Sequence, residues 1–492
     1  MGALKSFLAN IKYSKVDAIS IAVFFVYFFL ASIKHFSLHS GIYDLGLFTQ
    51  FAYLAGSFDF WDTTSLSNYT KSPYGDHFSL ILLPIGLIIR IFPSAYTLLF
   101  IQSAGIALLI RLFLNDIVKI NVNKSLVLGI ALLAAINPFI FNNNLNEFHP
   151  EVAFAFFGYL SISLLLKNQL KLSAVYLLLY LLTKEAMFIF CISYSLLAFF
   201  RKKIGYGVII LIVASSYFLY ASDIVSIHQN YAIDRYGAYG STFLEVLGSL
   251  AVRPWSLILE MLDPANIKYT ISMLMPVVLL IRGRISFQVL AASIPIVLSN
   301  ILSSTDVMIN PIYQYQIPLI VFMLVSIANS EIFQLELSVQ RQTVAAQALL
   351  AIAAFVILSS PGRFFAEYLR FNQYTLPVLT QEVRFASTKL KVWSHPSIAS
   401  HFAARKNISV SLDSLLNAQH DVIVIPKKST HRKPDNFIAR LRNWILSYGE
   451  IDEFTDASVF SDSIDRSKYV CESDTPLIVC RSTTYGNTVL TN

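Results

Sequence analysis

Charge is scarce in this chain: only 14% of its 492 residues are Asp, Glu, Lys or Arg, against roughly 25% in soluble globular proteins. Hydrophobic residues make up 55% and the mean hydropathy is +0.59. Together these exclude an ordinary cytosolic enzyme and a disordered chain. Cysteine occurs only three times, too few for a disulfide scaffold. The sequence contains no Walker A motif, no G-x-G-x-x-G, no G-x-S-x-G and no H-E-x-x-H. The formal net charge is +7, but the excess lies in short clusters between apolar runs. That is the pattern of cytoplasmic loops, not of a nucleic-acid-binding face. What remains is an integral membrane protein.

The charge that is present is unevenly spread. Residues 361–492 hold 16 Lys/Arg and 13 Asp/Glu, a density of about 22%, as in soluble domains. The first 360 residues are half as dense. The boundary falls at the turn residues Ser359, Ser360, Pro361 and Gly362. The expected fold is an all-α polytopic membrane domain over residues 1–360, followed by a soluble extracytoplasmic α/β domain over 361–492. Within the tail, 397–405 and 436–448 read as amphipathic helices, and 421–426 and 476–480 as strands.

Crossing the hydrocarbon core takes about 20 apolar residues. The first run, 18–33, follows Lys5, Lys12 and Lys15, which places the N-terminus in the cytoplasm by the positive-inside rule. No A-x-A-like cleavage site follows it, so a retained span is expected. Further runs lie near 94–113, 125–141, 151–166, 170–183, 186–200, 204–222, 269–282, 286–302, 312–328 and 343–360. The segment 77–92 is apolar but short, and it holds Pro84, Gly86 and Arg90. Treating it as re-entrant or interfacial puts the clusters around Arg111/Lys119/Lys124, Lys167/Lys171, Arg201–Lys203 and Arg282/Arg284 inside. The expectation is therefore about eleven spans in the plasma membrane, with the C-terminal domain outside. Outer loops 35–93 and 223–268, the turn 142–151, the Lys184/Glu185 region and 303–311 then gather the unusual polar residues on the outer face.

Four stretches carry candidate chemistry. In 41–50 (GIYDLGLFTQ) the lone acid Asp44 sits among apolar and aromatic residues, where its pKa is open to perturbation. It is a candidate general base or metal ligand, or else a cap on the helix that follows. In 74–79 (YGDHFS), Asp76 and His77 are candidate ligands for a phosphate or a metal. In 142–151 (NNNLNEFHPE), Glu147, His149 and Glu151 bring two carboxylates and an imidazole within five residues, enough to hold a divalent ion or move a proton. The bland alternative is a solvated loop with Glu151 at a helix start. Lys184 and Glu185 interrupt an apolar stretch, where ionisable groups are costly and mark function or a structural ion pair. Arg235 and Arg253 add guanidinium groups amid aromatics, suited to phosphate, although interface anchoring explains most such residues. Only Cys471 and Cys480, both in the outside domain, are placed to oxidise.

These residues resemble a named group. Stretches 43–48 (YDLGLF), 77–83 (HFSLILL), 147–151 (EFHPE), 182–185 (LTKE), 313–319 (YQYQIPL), 401–405 (HFAAR) and 421–425 (DVIVI) are similar, in order, to the domain-of-unknown-function family 2079 of bacterial and archaeal membrane proteins. Ala186 departs from it, since the family usually has a second acid there. The family is similar in layout to GT-C glycosyltransferases, which take sugars from polyprenyl-phosphate donors at the outer face.

That resemblance implies transfer of a sugar to an unidentified acceptor. Asp44, Glu147 and His149 would be catalytic, and Asp76, His77, Lys184, Glu185, Arg235 and Arg253 would bind substrate. A divalent cation (Mg or Mn) would be held by Asp44, Glu147 and Glu151. The partners implied are the bilayer and a polyprenyl-phosphate-linked sugar, with no nucleic acid. The alternatives are a transporter or flippase of a lipid-linked or polar substrate, or a non-catalytic scaffold. The absence of an internal repeat and the one-sided polar clusters favour an enzyme over a transporter.

Overall fold

The computed structural model describes residues 15–62, 66, 72–120, 123–226, 235–359, 373–427, 461, 463–472 and 476–483, and helix dominates it, at 70%. Among the described residues six helices are long and apolar enough to cross a bilayer: Lys15–Phe36, Ala95–Lys119, Ile204–Val225, Arg284–Ile301, Gln314–Gln334 and Leu337–Ser359. A seventh is a broken span, Leu126–Ala135 with Pro138–Leu145, bent by 46°. The break has a local cause. Pro138 has no N–H to continue the ladder, and the Asn137 side chain caps Phe139 N and Ile140 N instead. The apolar runs at 151–166, 170–183 and 186–200 form shorter helices, Ala155–Leu166, Leu170–Leu181 and Glu185–Phe200. The run expected at 269–282 divides into the helix Pro264–Leu274 and the turn Val278–Leu280.

The segment 77–92 holds a ten-residue helix, Leu82–Ile91. At 1.5 Å per residue it extends about 15 Å, half the hydrocarbon thickness, too short to cross by itself. It lies instead against a second ten-residue helix, Leu47–Gly56. Gly56 and Gly86 permit this crossing, because a Cβ on Gly86 would stand 2.2 Å from the carbonyl oxygen of Ala52.

Ion pairs mark two opposite ends of the helical domain. At one, Arg111 meets Asp17 at 2.6 Å, and Asp116 gathers Lys119 and Lys167 with the hydroxyls of Tyr159 and Ser163. At the other, the C-terminal end of the first span delivers Lys34, whose Nζ donates to Leu145 O at 2.8 Å. Between these ends the outward surface is apolar, with Phe25, Phe29, Ile209, Ile212 and Leu219 exposed, as a lipid-facing surface requires.

The tail folds around a five-stranded mixed sheet in the order β2-β1-β3-β5-β4, with β1 Val392–Ser394, β2 Ile408–Ser409, β3 Val422–Pro426, β4 Tyr469–Glu472 and β5 Leu477–Ser482. β1 is parallel to β2 and β3, and β5 is antiparallel to β3 and β4. Cys471 and Cys480 face each other across the β4–β5 pair and form a disulfide. The stretch 397–405, read as an amphipathic helix, becomes the 3₁₀ helix Pro396–Phe402. The stretch at 436–448 and the turn residues Ser360, Pro361 and Gly362 lie outside the described residues.

The tail packs directly on the end of the helical domain that carries Lys34. Leu45, Phe48 and Phe51 share one apolar core with Ile398, Phe402 and Val424. Lys406 pairs with Asp59 and Asp62, and Gln50 donates to Lys406 O.

Candidate active site

Asp44 lies on a single turn of π-helix, Ile42–Gly46, just beyond the first span. That turn is held from both sides. On the membrane side, Glu147 accepts the backbone N–H groups of Gly41 and Leu45, the latter at 2.8 Å, so its carboxylate brackets Asp44. On the tail side, the Pro396–Phe402 helix rests on it, with Ser400 Cα 3.7 Å from where a Cβ of Gly46 would stand. Glu147 has φ of 64°, a left-handed conformation unfavourable for a side chain with a Cβ. The hydrogen bonds that Glu147 makes hold it there. Gln102, buried in the second long span, fixes the same loop: its amide donates to the carbonyls of Asn143 and Glu147, and its oxygen accepts from His149 N at 2.8 Å.

Three of the neighbouring acids each have a basic side chain beside them. Lys34 stands 3.6 Å from Glu147, Lys184 stands 3.3 Å from Glu151 with both side chains buried, and His77 Nδ1 bonds Glu185 at 2.9 Å. Glu185 also accepts from Phe78 N. Asp44 differs. Its side chain is 39% exposed, and the group closest in charge contact is His149 Nε2 at 3.8 Å, beyond hydrogen-bond reach.

The surrounding field explains how these groups hold protons. Packed protein strips water from the Asp44 carboxyl, and Asp76 and Glu151 repel its charge. These effects outweigh the attraction of Lys184 and Lys34 and raise its pKa to about 6. Burial and Lys184 lower His149 to about 4, against the pull of Glu151 and Glu147, so the imidazole is neutral at physiological pH. Glu147 is shifted upward by burial and by Asp44, against Lys34. Glu151 is held low, because Lys184 overcomes the penalty of burial. Among the described residues, both ring nitrogens of His149 and the Oε2 atom of Glu151 lack a hydrogen-bond partner. Unsatisfied buried polar atoms beside an exposed acid mark a place for a ligand.

Nine of the ten candidate residues therefore fall in one electrostatic cluster: Asp44, Asp76, His77, Glu147, His149, Glu151, Lys184, Glu185 and Arg235. Arg235 joins through its field on Lys184. Its guanidinium lies over the Tyr315 ring at 5.2 Å, and its side-chain bond is to the weak acceptor Met308 Sδ. Arg253 stays outside, exposed at the C-cap of the helix Phe243–Val252. The expected ligand set for a divalent cation does not assemble. Among the described residues no three His, Cys, Asp or Glu side chains converge on a metal position. Of the three carboxylates expected, Glu147 is engaged with two N–H groups and Glu151 with Lys184, so they do not fit a shared ion with Asp44.

Sequence reading missed Lys34 and Gln102. A lysine at the end of a span that the basic loops lead one to expect outside, where basic residues are disfavoured, and a glutamine within an apolar helix were the available signals.

A family model for "Predicted membrane protein (DUF2079)" matches residues 34–400. The chain belongs to the DUF2079 family. The match runs from Lys34 through the Asp44 turn and the 147–151 loop to Ser400, so the whole cluster lies inside this family's span. No curated protein matches this DUF2079 chain. Among solved structures it is similar to ArnT from Cupriavidus metallidurans, crystallised bound to undecaprenyl phosphate. The TM-score is 0.50 and the identity 11%, over 94% of this chain and 97% of that one. The likeness is one of fold, and it agrees with the GT-C-like layout expected from the sequence.

Proposed function

We propose that this DUF2079 protein is a membrane glycosyltransferase that moves a sugar from a polyprenyl-phosphate donor to a hydroxyl acceptor at the outer membrane face. The observation that carries the reading is Asp44: a half-buried carboxyl of raised pKa facing the unpartnered His149, in a fold similar over nearly its whole length to a protein bound to undecaprenyl phosphate. Fold alone does not give function, and the chemistry of this site supplies the rest.

In the proposed step an acceptor hydroxyl lies against Asp44 Oδ2 and His149 Nε2. Its proton passes to Asp44 and its oxygen bonds to the anomeric carbon. The bond from that carbon to the phosphate oxygen breaks, and the electron pair leaves with the phosphate. A base with pKa near the working pH suits this transfer. Arg235 receives the leaving phosphate: its guanidinium is held flat on Tyr315 and retains N–H donors for an anion. Lys184 adds positive field. Glu147 acts as a positioning residue that shapes the turn, and the His77–Glu185 pair lines the donor side.

Eleven spans with the N-terminus in the cytoplasm and the tail outside accommodate this site. The Cys471–Cys480 disulfide supports that orientation, because such bonds persist in oxidising compartments. The test is a transfer assay in membranes with a panel of radiolabelled polyprenyl-phosphate sugars. The reading predicts that one donor gives up its sugar and that Arg235→Ala raises the KM for it about tenfold or more. Transport of label across the membrane without transfer would replace this reading with a flippase.

A further inference from the structure

Behind the Asp44 turn, at the seam between the tail and the helical domain, lies a separate cavity of about 300 Å³. Its walls include Tyr96, Glu382, Val383, His401, Phe402 and Arg405. Tyr96 is in the first turn of the Ala95–Lys119 span, next to its N-cap Ser94, so the cavity lies level with the outer membrane boundary.

Apolar side chains are exposed on the elements that form its walls. Ile91 and Phe92 are exposed just before the span, and Leu376 and Val383 are 71% and 78% exposed on the tail helix Thr375–Arg384. Seven residues apart, Leu376 and Val383 share one helix face. A helix of a soluble-type domain that shows two large aliphatic groups at this level is placed to touch lipid.

The polar groups inside come in two opposite charges. Glu382 Oε2 bonds His401 Nδ1 at 2.9 Å, and the other oxygen has no bond among the described residues. His401 is locked in turn, with Nε2 3.2 Å from His35 O and its ring stacked on His35 at 4.0 Å. Arg405 is buried and donates from all three nitrogens to carbonyls, those of Phe402, Ser387 and Phe385. A guanidinium has five N–H groups, so about two remain for an anion. The cavity thus offers a carboxylate oxygen for an ammonium group and a buried guanidinium for a phosphate.

We propose that this cavity binds the headgroup of an amine-bearing zwitterionic phospholipid. Its ammonium would lie on Glu382, its phosphate by Arg405, and its acyl chains along Ile91, Phe92 and Val383. The site does not depend on the transferase reading, since none of its groups belongs to the Asp44 cluster.

The test uses the full-length, delipidated protein in detergent. Short-chain phosphatidylethanolamine, phosphatidylcholine and phosphatidylglycerol are titrated separately, with bound lipid counted by native mass spectrometry. The wild type should bind the ethanolamine lipid about tenfold tighter than either other, because only its ammonium can donate to Glu382. Glu382→Gln should erase that preference, and Leu379→Trp, which fills the cavity, should abolish the tight binding. Equal affinity for the three lipids in the wild type would overturn the proposal without recourse to any variant. So would an ethanolamine preference that survives Glu382→Gln. Equally tight binding of free phosphoethanolamine would assign the cavity to a soluble ligand instead. Competition by undecaprenyl phosphate would make it part of the donor site.

Discussion

Glu147 accepts hydrogen bonds from the N–H groups of Gly41 and Leu45, one on either side of Asp44 in the chain, so one carboxylate sets the shape of the turn that presents another. Glutamine at 147 retains one acceptor and loses the charge that faces Lys34. Glu147→Gln should therefore lower kcat about tenfold or more with little change in the donor KM. Glu147→Ala removes the acceptor of the Gly41 and Leu45 N–H groups together with the charge facing Lys34, and thermal unfolding in detergent should show a loss of about 3–5 kcal/mol.

The pH dependence follows from Asp44. A base must be deprotonated to act, and this carboxyl titrates near 6. The rate should be constant above about pH 7 and fall tenfold per pH unit below about 6. His149 stays neutral down to about 4, so its own titration adds no inflection between pH 5 and 8. A pH–rate profile measures this. A flat profile through pH 5 would remove Asp44 as the base.

Lys184 and Glu151 form a buried pair, and a buried pair is most costly when half of it is removed. Lys184→Met and Glu151→Leu should each destabilise the protein by about 3–5 kcal/mol. The double variant Lys184→Met/Glu151→Leu should recover much of that loss, while donor binding stays impaired for want of the lysine field. Unfolding curves for the three variants give the coupling directly.

At Gly86 a methyl group would stand 2.2 Å from Ala52 O and 2.4 Å from Gly56 N. The obstacle is backbone on both counts, so the two short helices must separate. Gly86→Ala should cost about 1–3 kcal/mol or more and lower the yield of folded protein. An equivalent change at Gly205, where a Cβ meets nothing within 4 Å, should be neutral.

Much of the helical domain was legible because apolar runs and basic clusters report directly on a bilayer. The run at 204–222 became the helix Ile204–Ser226, and 343–360 became Leu337–Ser359. In the segment 77–92, where Pro84, Gly86 and Arg90 argue against a span, the structure has only the short helix Leu82–Ile91. The strands at 421–426 and 476–480 were readable from their apolar character. What the sequence did not disclose was approach in space. His149 and Asp44 are 105 positions apart, and nothing local brings them within 3.8 Å. The carboxylates of 147–151 looked like a metal loop by composition, yet Glu147 turns to backbone N–H groups and Glu151 to Lys184. The contact of the tail helix Pro396–Phe402 with the Asp44 turn was likewise hidden, because tertiary packing between distant segments leaves no periodic mark.

The outward position proposed for the tail rests on the oxidised pair Cys471–Cys480 and on the basic loops. A membrane-impermeant thiol reagent applied to intact cells should label these cysteines only after reduction. Cys191, buried within a helix, should stay unlabelled throughout. Labelling that requires permeabilised cells would put the tail in the cytoplasm.

The most direct measurement of the central claim is sugar transfer from labelled polyprenyl-phosphate donors by membranes carrying wild type or Asp44→Asn. The asparagine keeps the size of the side chain and removes its basicity. The account predicts label on an acceptor with wild type, and a rate reduced by roughly 10²–10⁴-fold with Asp44→Asn at equal folded protein. Equal transfer by the two proteins would contradict it.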